Sequence, residues 1–365
     1  MKVIRTTKCS LKFSTKSKKQ ELNKILSEYG SVCNFFINYF WNNSTPSKSE
    51  LLKPIIDLPE TWLSARLRKV AAREAIDMIL AVKERWKNEP EKITMPVHKG
   101  NRMHVSCTIA ELQDSETPEF DSWLHLQSIG QKIILDLPIK FHKHFHKWNS
   151  QGKRLNSYII TPDYVQFCFE IDTGPKKTGK QAIGIDSGIN ALASVNTGNQ
   201  FGLDIKPLIG RIKRCEHGSN GQKTARKAPR QRIDETVKEL LNHFKDIDLI
   251  VVEKLRNLNY KSKLRRRLSK NIRRSVGVWG YRYWLKRLEQ ACEINRISFR
   301  TVLPFYTSQR CPVCGHVDRR NRSGTVFRCQ SCGHTDNADI IGGRNILERF
   351  LTGHYGACYR PYMAM

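Results

Sequence analysis

The sequence predicts a multi-domain protein that joins α+β and α/β architecture. Three observations carry that expectation. The first 173 residues read as a strand, two helical blocks and then a series of short strands. From Gln181 to Glu253 the order is three short strands, helices and a fourth strand that is apolar up to its final acid. Further on, two Cys-x-x-Cys pairs stand 14 residues apart. At 365 residues there is room for two or three domains.

Charge narrows the class of partner. Lys and Arg number 63 against 34 Asp and Glu, a formal +29. That excess goes beyond what solubility needs and implies a polyanion, most directly nucleic acid. A generically basic protein is the blander reading, and a membrane surface is another outlet for such charge. Yet no stretch approaches the ~20 apolar residues of a spanning helix, and no signal-peptide pattern opens the sequence. Cys9, Cys33, Cys107, Cys168, Cys215, Cys292 and Cys358 are scattered without ligand spacing, as free thiols are in a reducing compartment. The expectation is a cytoplasmic protein that works on nucleic acid.

In order, residues 2–14 alternate apolar and polar side chains and read as a strand. Ser17 to Trp41 is helical, with Leu22, Ile25, Leu26, Tyr29, Val32, Cys33, Phe36 and Tyr39 on one face. After a polar loop, Glu60 to Trp86 gives a second helical block. Trp62, Leu63, Leu67, Val70 and Ile79 belong to its apolar face and Arg66, Lys69 and Arg73 to the other. The basic face is a candidate for phosphate contacts; a solvated face is the alternative. From Lys92 to Asp172 short alternating runs predict strands, and a β-barrel begun by the first strand, with the helices inserted, accounts for the order.

The next block holds the chemistry. Gln181-Ala-Ile-Gly-Ile-Asp186 is a strand ending in an acid, Leu192-Ala-Ser-Val pairs back, and Gln200-Phe-Gly-Leu makes a third strand. Lys- and Arg-rich helices follow, then Leu249-Ile-Val-Val-Glu253, again ending in an acid. This is the opening order of an RNase H-like fold, in which the first and fourth strands are parallel neighbours. Asp186 and Glu253 would then meet, although an acid at a strand end is by itself an ordinary turn residue. Asp339, at the start of a short apolar-periodic helix, alone reads as a helix cap. Together the three acids suit phosphodiester hydrolysis, where Mg²⁺ ions take carboxylate and phosphate oxygens. Between the second acid and the cysteines lies a basic run that includes Arg265, Arg266 and Arg267, a candidate phosphate-tracking element whose alternative is a solvated loop.

Cys311-Pro-Val-Cys314 and Cys329-Gln-Ser-Cys332 place four thiolates where a tetrahedral Zn²⁺ needs them, with Gly315 and Gly333 closing the turns. This is the pattern of a zinc ribbon.

Gly184-Ile-Asp186-Ser-Gly-Ile, Val252-Glu253-Lys-Leu-Arg-Asn-Leu, Tyr306-Thr-Ser-Gln-Arg-Cys311-Pro-Val-Cys314-Gly and Cys329-Gln-Ser-Cys332-Gly through Asp339 to Asn345-Ile together resemble the TnpB family. Those proteins are transposon-encoded, RNA-guided RuvC nucleases related to compact type V CRISPR effectors. The resemblance spans the second half in the right order; the first half fits loosely. It implies a RuvC nuclease of RNase H type over 181–304 and 336–365, split around a zinc ribbon at 305–335. It also implies an N-terminal wedge β-barrel (1–15 and 92–173) holding a helical recognition insert (16–91). Function would be Mg²⁺-dependent cleavage of target DNA beside a short flanking motif, directed by a structured guide RNA. Matching the motifs assigns the catalytic, magnesium-binding acids to Asp186, Glu253 and Asp339. After the last acid the family shows Asp-x-Asn-Ala-Ala-x-Asn-Ile, whereas this chain has Asp339-Ile-Ile-Gly-Gly-Arg344-Asn345-Ile. The two glycines predict a looser helix start, with Asp336 as the alternative ligand. An RNA-guided repressor of the same fold is the alternative function. A cut-and-paste transposase fits poorly, because its acids run Asp, Asp, Glu. A zinc-ribbon transcription factor leaves the strand-end acids unexplained.

Overall fold

The computed structural model describes residues 1–87, 89–130, 132–179, 181–255 and 278–353. The chain divides into two compact units, Lys2–Asp172 and the segment from Thr173 onward, with Met1 belonging to the second.

In the first unit β1 (Lys2–Ser10) leads into α1 (Lys16–Asn42), the short α2 (Lys53–Ile56) and α3 (Ala65–Arg85). Then come β2 (Met103–Ser106), β3 (Ala110–Asp114), β4 (Ser122–Gln127), β5 (Ile134–Ile139), α4 (Lys143–Gln151), β6 (Lys153–Ile160) and β7 (Tyr164–Asp172). The strands form two sheets, ordered β1-β7-β6-β2 and β3-β4-β5. β1 and β7 pair antiparallel over their full length, Lys2 opposite Asp172, so the two ends of the unit are stitched together. Thr15 caps α1, its hydroxyl accepting from the Lys18 amide. The second helical block begins later than its apolar pattern suggests, at Ala65, and Trp62 lies before the helix, 37% exposed. Phe40, rather than Tyr39, closes the buried face of α1.

One buried acid ties these helices to β2. Glu74 accepts from the Tyr29 hydroxyl at 2.9 Å and from Arg102 Nε at 2.8 Å, with His98 and His104 Nε2 at 3.5 and 3.6 Å. Burial alone would raise its pKa, but His98, His104, Tyr29 and Arg102 outweigh that and bring it to about 2. A carboxyl held below its unfolded value stabilises the fold above that value and loses the contribution as pH falls through the folded one. Thermal melts should therefore lose stability progressively from about pH 4.5 down to pH 2. Glu74→Gln should flatten that acid limb, at a cost of about 2–3 kcal/mol near neutral pH.

The second unit is built on a five-stranded sheet. Its strands are β8 (Ala182–Asp186), β9 (Ala193–Val195), β10 (Gln200–Phe201), β11 (Leu249–Glu253) and β12 (Ser298–Val302). They stand in the order β10-β9-β8-β11-β12. β9 is antiparallel to β8, while β11 runs parallel to both β8 and β12. That is the neighbour relation the strand-end acids require. α5 (Ile205–Arg214), α6 (Asn220–Ala225) and α7 (Lys227–His243) connect β10 to β11, and α8 (Tyr281–Ile294) precedes β12. One apolar core joins Ile183, Ile185, Ile250 and Val252 to Ile209, Ile233, Leu240, Trp284 and Leu288 from these helices. The alternate strand residue Val251 faces the other way, onto Ile346 of α9 (Ala338–Thr352).

α9 meets β8 backbone to backbone. A Cβ on Gly184 would collide with the carbonyl of Gly343 and lie 2.7 Å from Leu347 Cβ. One on Gly343 would stand 2.9 Å from the Asn196 amide nitrogen and the Ser194 carbonyl oxygen. The glycine pair expected to loosen the helix start is thus the surface on which the helix seats, and the helix runs unbroken through it. Gly184→Ala is expected to push α9 off the sheet and destabilise the unit by roughly 2–3 kcal/mol, read as a lowered melting temperature.

Candidate active site

Asp186 ends β8 and Glu253 ends β11, with Val252 in register opposite Ile185 just before them. Parallel pairing therefore delivers two carboxylates to the same edge of the sheet. The chain after Asp186 is anchored by Trp284 Nε1, which donates to Ser187 Oγ at 3.0 Å. The Tyr281 hydroxyl donates to the Glu253 carbonyl and accepts from the Leu255 amide at 3.3 Å, fixing where β11 ends. The Glu253 side chain is oriented by a hydrogen bond from the Thr307 hydroxyl.

The third acid comes from α9. Asn337 caps that helix, its Oδ1 accepting from the amides of Asp339 at 2.9 Å and Ile340 at 3.4 Å. Asp339 is consequently not the cap; it lies in the first turn with its carboxylate free for another use. Arg322 Nη2 donates to Asp339 Oδ1 at 2.6 Å. A Cβ on Gly342, one turn on, would stand 2.7 Å from Asp186 Oδ2, so the helix backbone lies directly against the first acid. Asp336 is engaged elsewhere, by Arg344 Nη1 at 2.7 Å and by the Asn337 amide.

The electrostatics of the three acids are those of one cluster. Burial, then the negative charges of Glu253 and Asp339, push the Asp186 carboxyl up to about 8 against the pull of Arg322. Burial also raises Glu253, opposed by the Thr307 hydrogen bond, Arg322 and Arg349. Such mutual repulsion in a partly dry setting is relieved by a cation, and an all-carboxylate donor set is the chemistry a hard divalent ion prefers. In donor chemistry alone, the residues present suit Mg²⁺.

The cysteines form a second, separate centre. The four Sγ atoms of Cys311, Cys314, Cys329 and Cys332 all lie within 4.8 Å of one another. Cys311 and Cys332 are 3.6 Å apart and Cys314 and Cys329 3.5 Å. Zinc–sulfur bonds of about 2.3 Å in a tetrahedron put sulfurs about 3.8 Å apart, so the set fits structural zinc. The two knuckles are copies: the Gly315 amide donates to Cys311 O and the Gly333 amide to Cys329 O, at 3.0 and 3.1 Å. Gly315 and Gly333 have φ of +75° and +73°, which explains both glycines. A backbone hydrogen bond at His316 lowers the Cys314 thiol to about 7, readying a thiolate. The ribbon sheet, β13 (Arg322–Ser323), β14 (Val326–Arg328) and β15 (Thr335–Asn337), carries Arg322 to Asp339.

Residues 281–346 match the family model of the Cas12f1-like TNB domain. The TNB-like segment takes in Tyr281, Trp284, Thr307, the four cysteines, Arg322 and Asp339, while Asp186, Ser187, Glu253 and Arg349 lie outside it. Over 215 residues the chain is 31% identical to "Putative RNA-guided DNA endonuclease InsQ" of Escherichia coli (strain K12). That match takes in 51% of this chain and 52% of InsQ, so the chain spans about half the length of the curated relative it matches. The fold is similar to that of Cas12f1 in its complex with sgRNA and target DNA. There the TM-score is 0.55 at 13% identity, over 93% of this chain and 82% of that one. The mini-RNA-guided endonuclease CRISPR-Cas_phi3 also scores 0.55, at 10% identity over 93% of this chain and 91% of its own.

Sequence reasoning missed Thr307, Tyr281 and Arg322. Thr307 sits in the Tyr306-Thr-Ser-Gln-Arg stretch, which carried resemblance but no assigned role. Arg66 and Arg73 are exposed on α3 and Lys69 half-buried. Arg265, Arg266 and Arg267 lie outside the described residues. Among the described residues, no helix is long and apolar enough to cross a membrane.

Proposed function

We propose that the protein is an RNA-guided, Mg²⁺-dependent DNA endonuclease, transposon-associated or a compact type V effector, cutting target DNA beside a short flanking motif. The observation that carries this is the convergence of Asp186, Glu253 and Asp339 from two parallel strand ends and a helix start. These are the residues that would hold Mg²⁺, which when bound supplies an activated water and Lewis-acid stabilisation of the phosphate. Thr307 and Tyr281 hold Glu253 in place, Trp284 steadies the turn after Asp186, and Gly342 keeps the helix close to the first acid. The segment from Thr173 onward has 37 Lys and Arg against 15 Asp and Glu, a suitable surface for a guide RNA and a target duplex. In this reading that segment is the RuvC-like nuclease with its ribbon. The strands of the first unit form the wedge barrel, and α1–α3 form the recognition insert, with Arg66, Lys69 and Arg73 on backbone phosphates. The protein works as a monomer in the cytoplasm, at the nucleoid.

Against the repressor alternative stands the presence of all three acids in one cluster. The deciding experiment is co-expression with the DNA flanking the gene, followed by sequencing of co-purified RNA and incubation with a matching target. Mg²⁺-dependent cutting at that target supports the proposal. Guided binding without cutting would turn the reading to the repressor, and absence of bound RNA would sink both.

A further inference from the structure

The turn of α9 that follows Asp339 lies against Asp186 with no side chain between them. A Cβ on Gly342 would meet the whole Asp186 side chain, 2.7 Å from Oδ2, 3.0 Å from Cγ and 3.1 Å from Cβ. Either the helix or the carboxylate would have to give way, and the helix is fixed. Its next residue, Gly343, already seats on the backbone of Gly184, Ser194 and Asn196. Further along, Asn345 Nδ2 donates to the carbonyls of Thr307 and Arg310 at 2.7 and 2.9 Å, and Arg349 Nη1 to that of Phe305 at 2.7 Å. β8 is held between β9 and β11. What can turn is the Asp186 carboxylate, about its own side-chain torsions. Asp339 and Gly342 stand three residues apart on α9 and are neighbours on one face. The bare backbone at Gly342 therefore lets the first acid lie on the face that carries the third, and a methyl group there would turn it away.

We propose that Gly342 sets the spacing of Asp186 and Asp339, and through it the ion the site takes, Mg²⁺ in preference to Ca²⁺. The proposal rests on the nuclease reading and adds what selects the metal. Mg²⁺ demands oxygens at about 2.0–2.1 Å in a strict octahedron, whereas Ca²⁺ accepts about 2.3–2.6 Å and a looser arrangement. Two carboxylates gathered on one face of a fixed helix suit the smaller ion. Turning one of them outward costs Mg²⁺ more than it costs Ca²⁺. Gly342 has no side chain to offer a metal, so it is a positioning residue that acts through Asp186.

The test is Gly342→Ala in the full chain, washed free of nucleic acid in high salt. Bound Mn²⁺ is counted by electron paramagnetic resonance and then displaced by Mg²⁺ or by Ca²⁺, which yields both affinities; Asp186→Asn supplies the background. In Gly342→Ala the affinity for Mg²⁺ should fall roughly tenfold or more and that for Ca²⁺ less, so that the preference shifts towards Ca²⁺. Alanine is the better helix former, so the variant should melt no lower than wild type without added divalent ion. The proposal is overturned if the two affinities fall alike, if Ca²⁺ loses more, or if neither changes. A lower melting temperature overturns it as well, because the helix rather than the carboxylate would have moved. So does a wild type that binds no Mn²⁺ beyond the background. Because no cleavage is involved, a shifted preference in a protein that never cuts would keep the role of Gly342 and remove the nuclease. Cutting by wild type with both affinities lowered alike in the variant would do the reverse.

Discussion

Asp186→Asn is expected to lower cleavage by roughly a thousand-fold or more while making the protein more resistant to heat. The first effect follows from the carboxylate's place at the end of β8, where it shares a cluster with Glu253 and Asp339. If Asp186 holds Mg²⁺ as proposed, its loss removes several kcal/mol of transition-state stabilisation, and about 1.4 kcal/mol is one decade in rate. The second effect follows from the same crowding. Glu253 and Asp339 both repel the Asp186 carboxylate, so a neutral isostere relieves the folded state. Single-turnover cleavage with Mg²⁺ and, on the same preparation, a thermal melt without added divalent ion check both. Undiminished cutting would remove Asp186 from the site; a marked fall in melting temperature would show that the carboxylate holds the fold together.

Loss of zinc is expected to cost the protein its third acid. The small core of the ribbon is made of Cys311, Phe327 and Cys329 together with Ala338 and Ile341, which belong to the first turn of α9. The Ala338 amide also donates to the Thr325 carbonyl at 2.9 Å, and β15 feeds directly into the helix. Asp339 is therefore positioned by packing that depends on the metal knuckles. Structural zinc contributes about 10–16 kcal/mol of apparent binding energy in small domains, so Cys329→Ser should dismantle this region. Elemental analysis should find zinc in the wild type and little in the variant, and cleavage should fall at least about a hundred-fold. Chelation, removal of the chelator and return of Mg²⁺ alone should leave the protein inactive, with activity restored by zinc. Full cleavage by zinc-free protein would refute the zinc assignment.

What the sequence made legible is what local chemistry fixes. Leu249 to Glu253 is a strand because its apolar run is too short for a helix and is faced by apolar layers on both sides. The cysteine spacing carried the knuckle geometry, and both glycines have the positive φ their position suggested. The helix start was misread where tertiary contact overrides propensity. Gly342-Gly343 weakens an isolated helix, yet here the missing side chains let α9 touch β8 and β9. Asn337, not Asp339, caps that helix, a choice between two good caps two residues apart. α4 passed unnoticed because its Lys143-His-Phe-His-Lys run is surrounded by strand texture. Arg322 and Thr307 could not be assigned at all, since each reaches an acid far along the chain through folds of the ribbon and its lead-in.

The distance between the acids along the chain sets an order of events during synthesis. Asp186 and Glu253 can be brought together once β8 and β11 have left the ribosome, but the cluster is complete only after residue 339 has followed and the ribbon has folded beneath it. Contacts this far apart form late, after local helices and hairpins. A nascent chain therefore carries most of its basic residues well before it carries a full set of acids. Under the proposed function, its growing, highly basic length would collect RNA before it could cut, so loading before arming would be built into the linear order of the polypeptide.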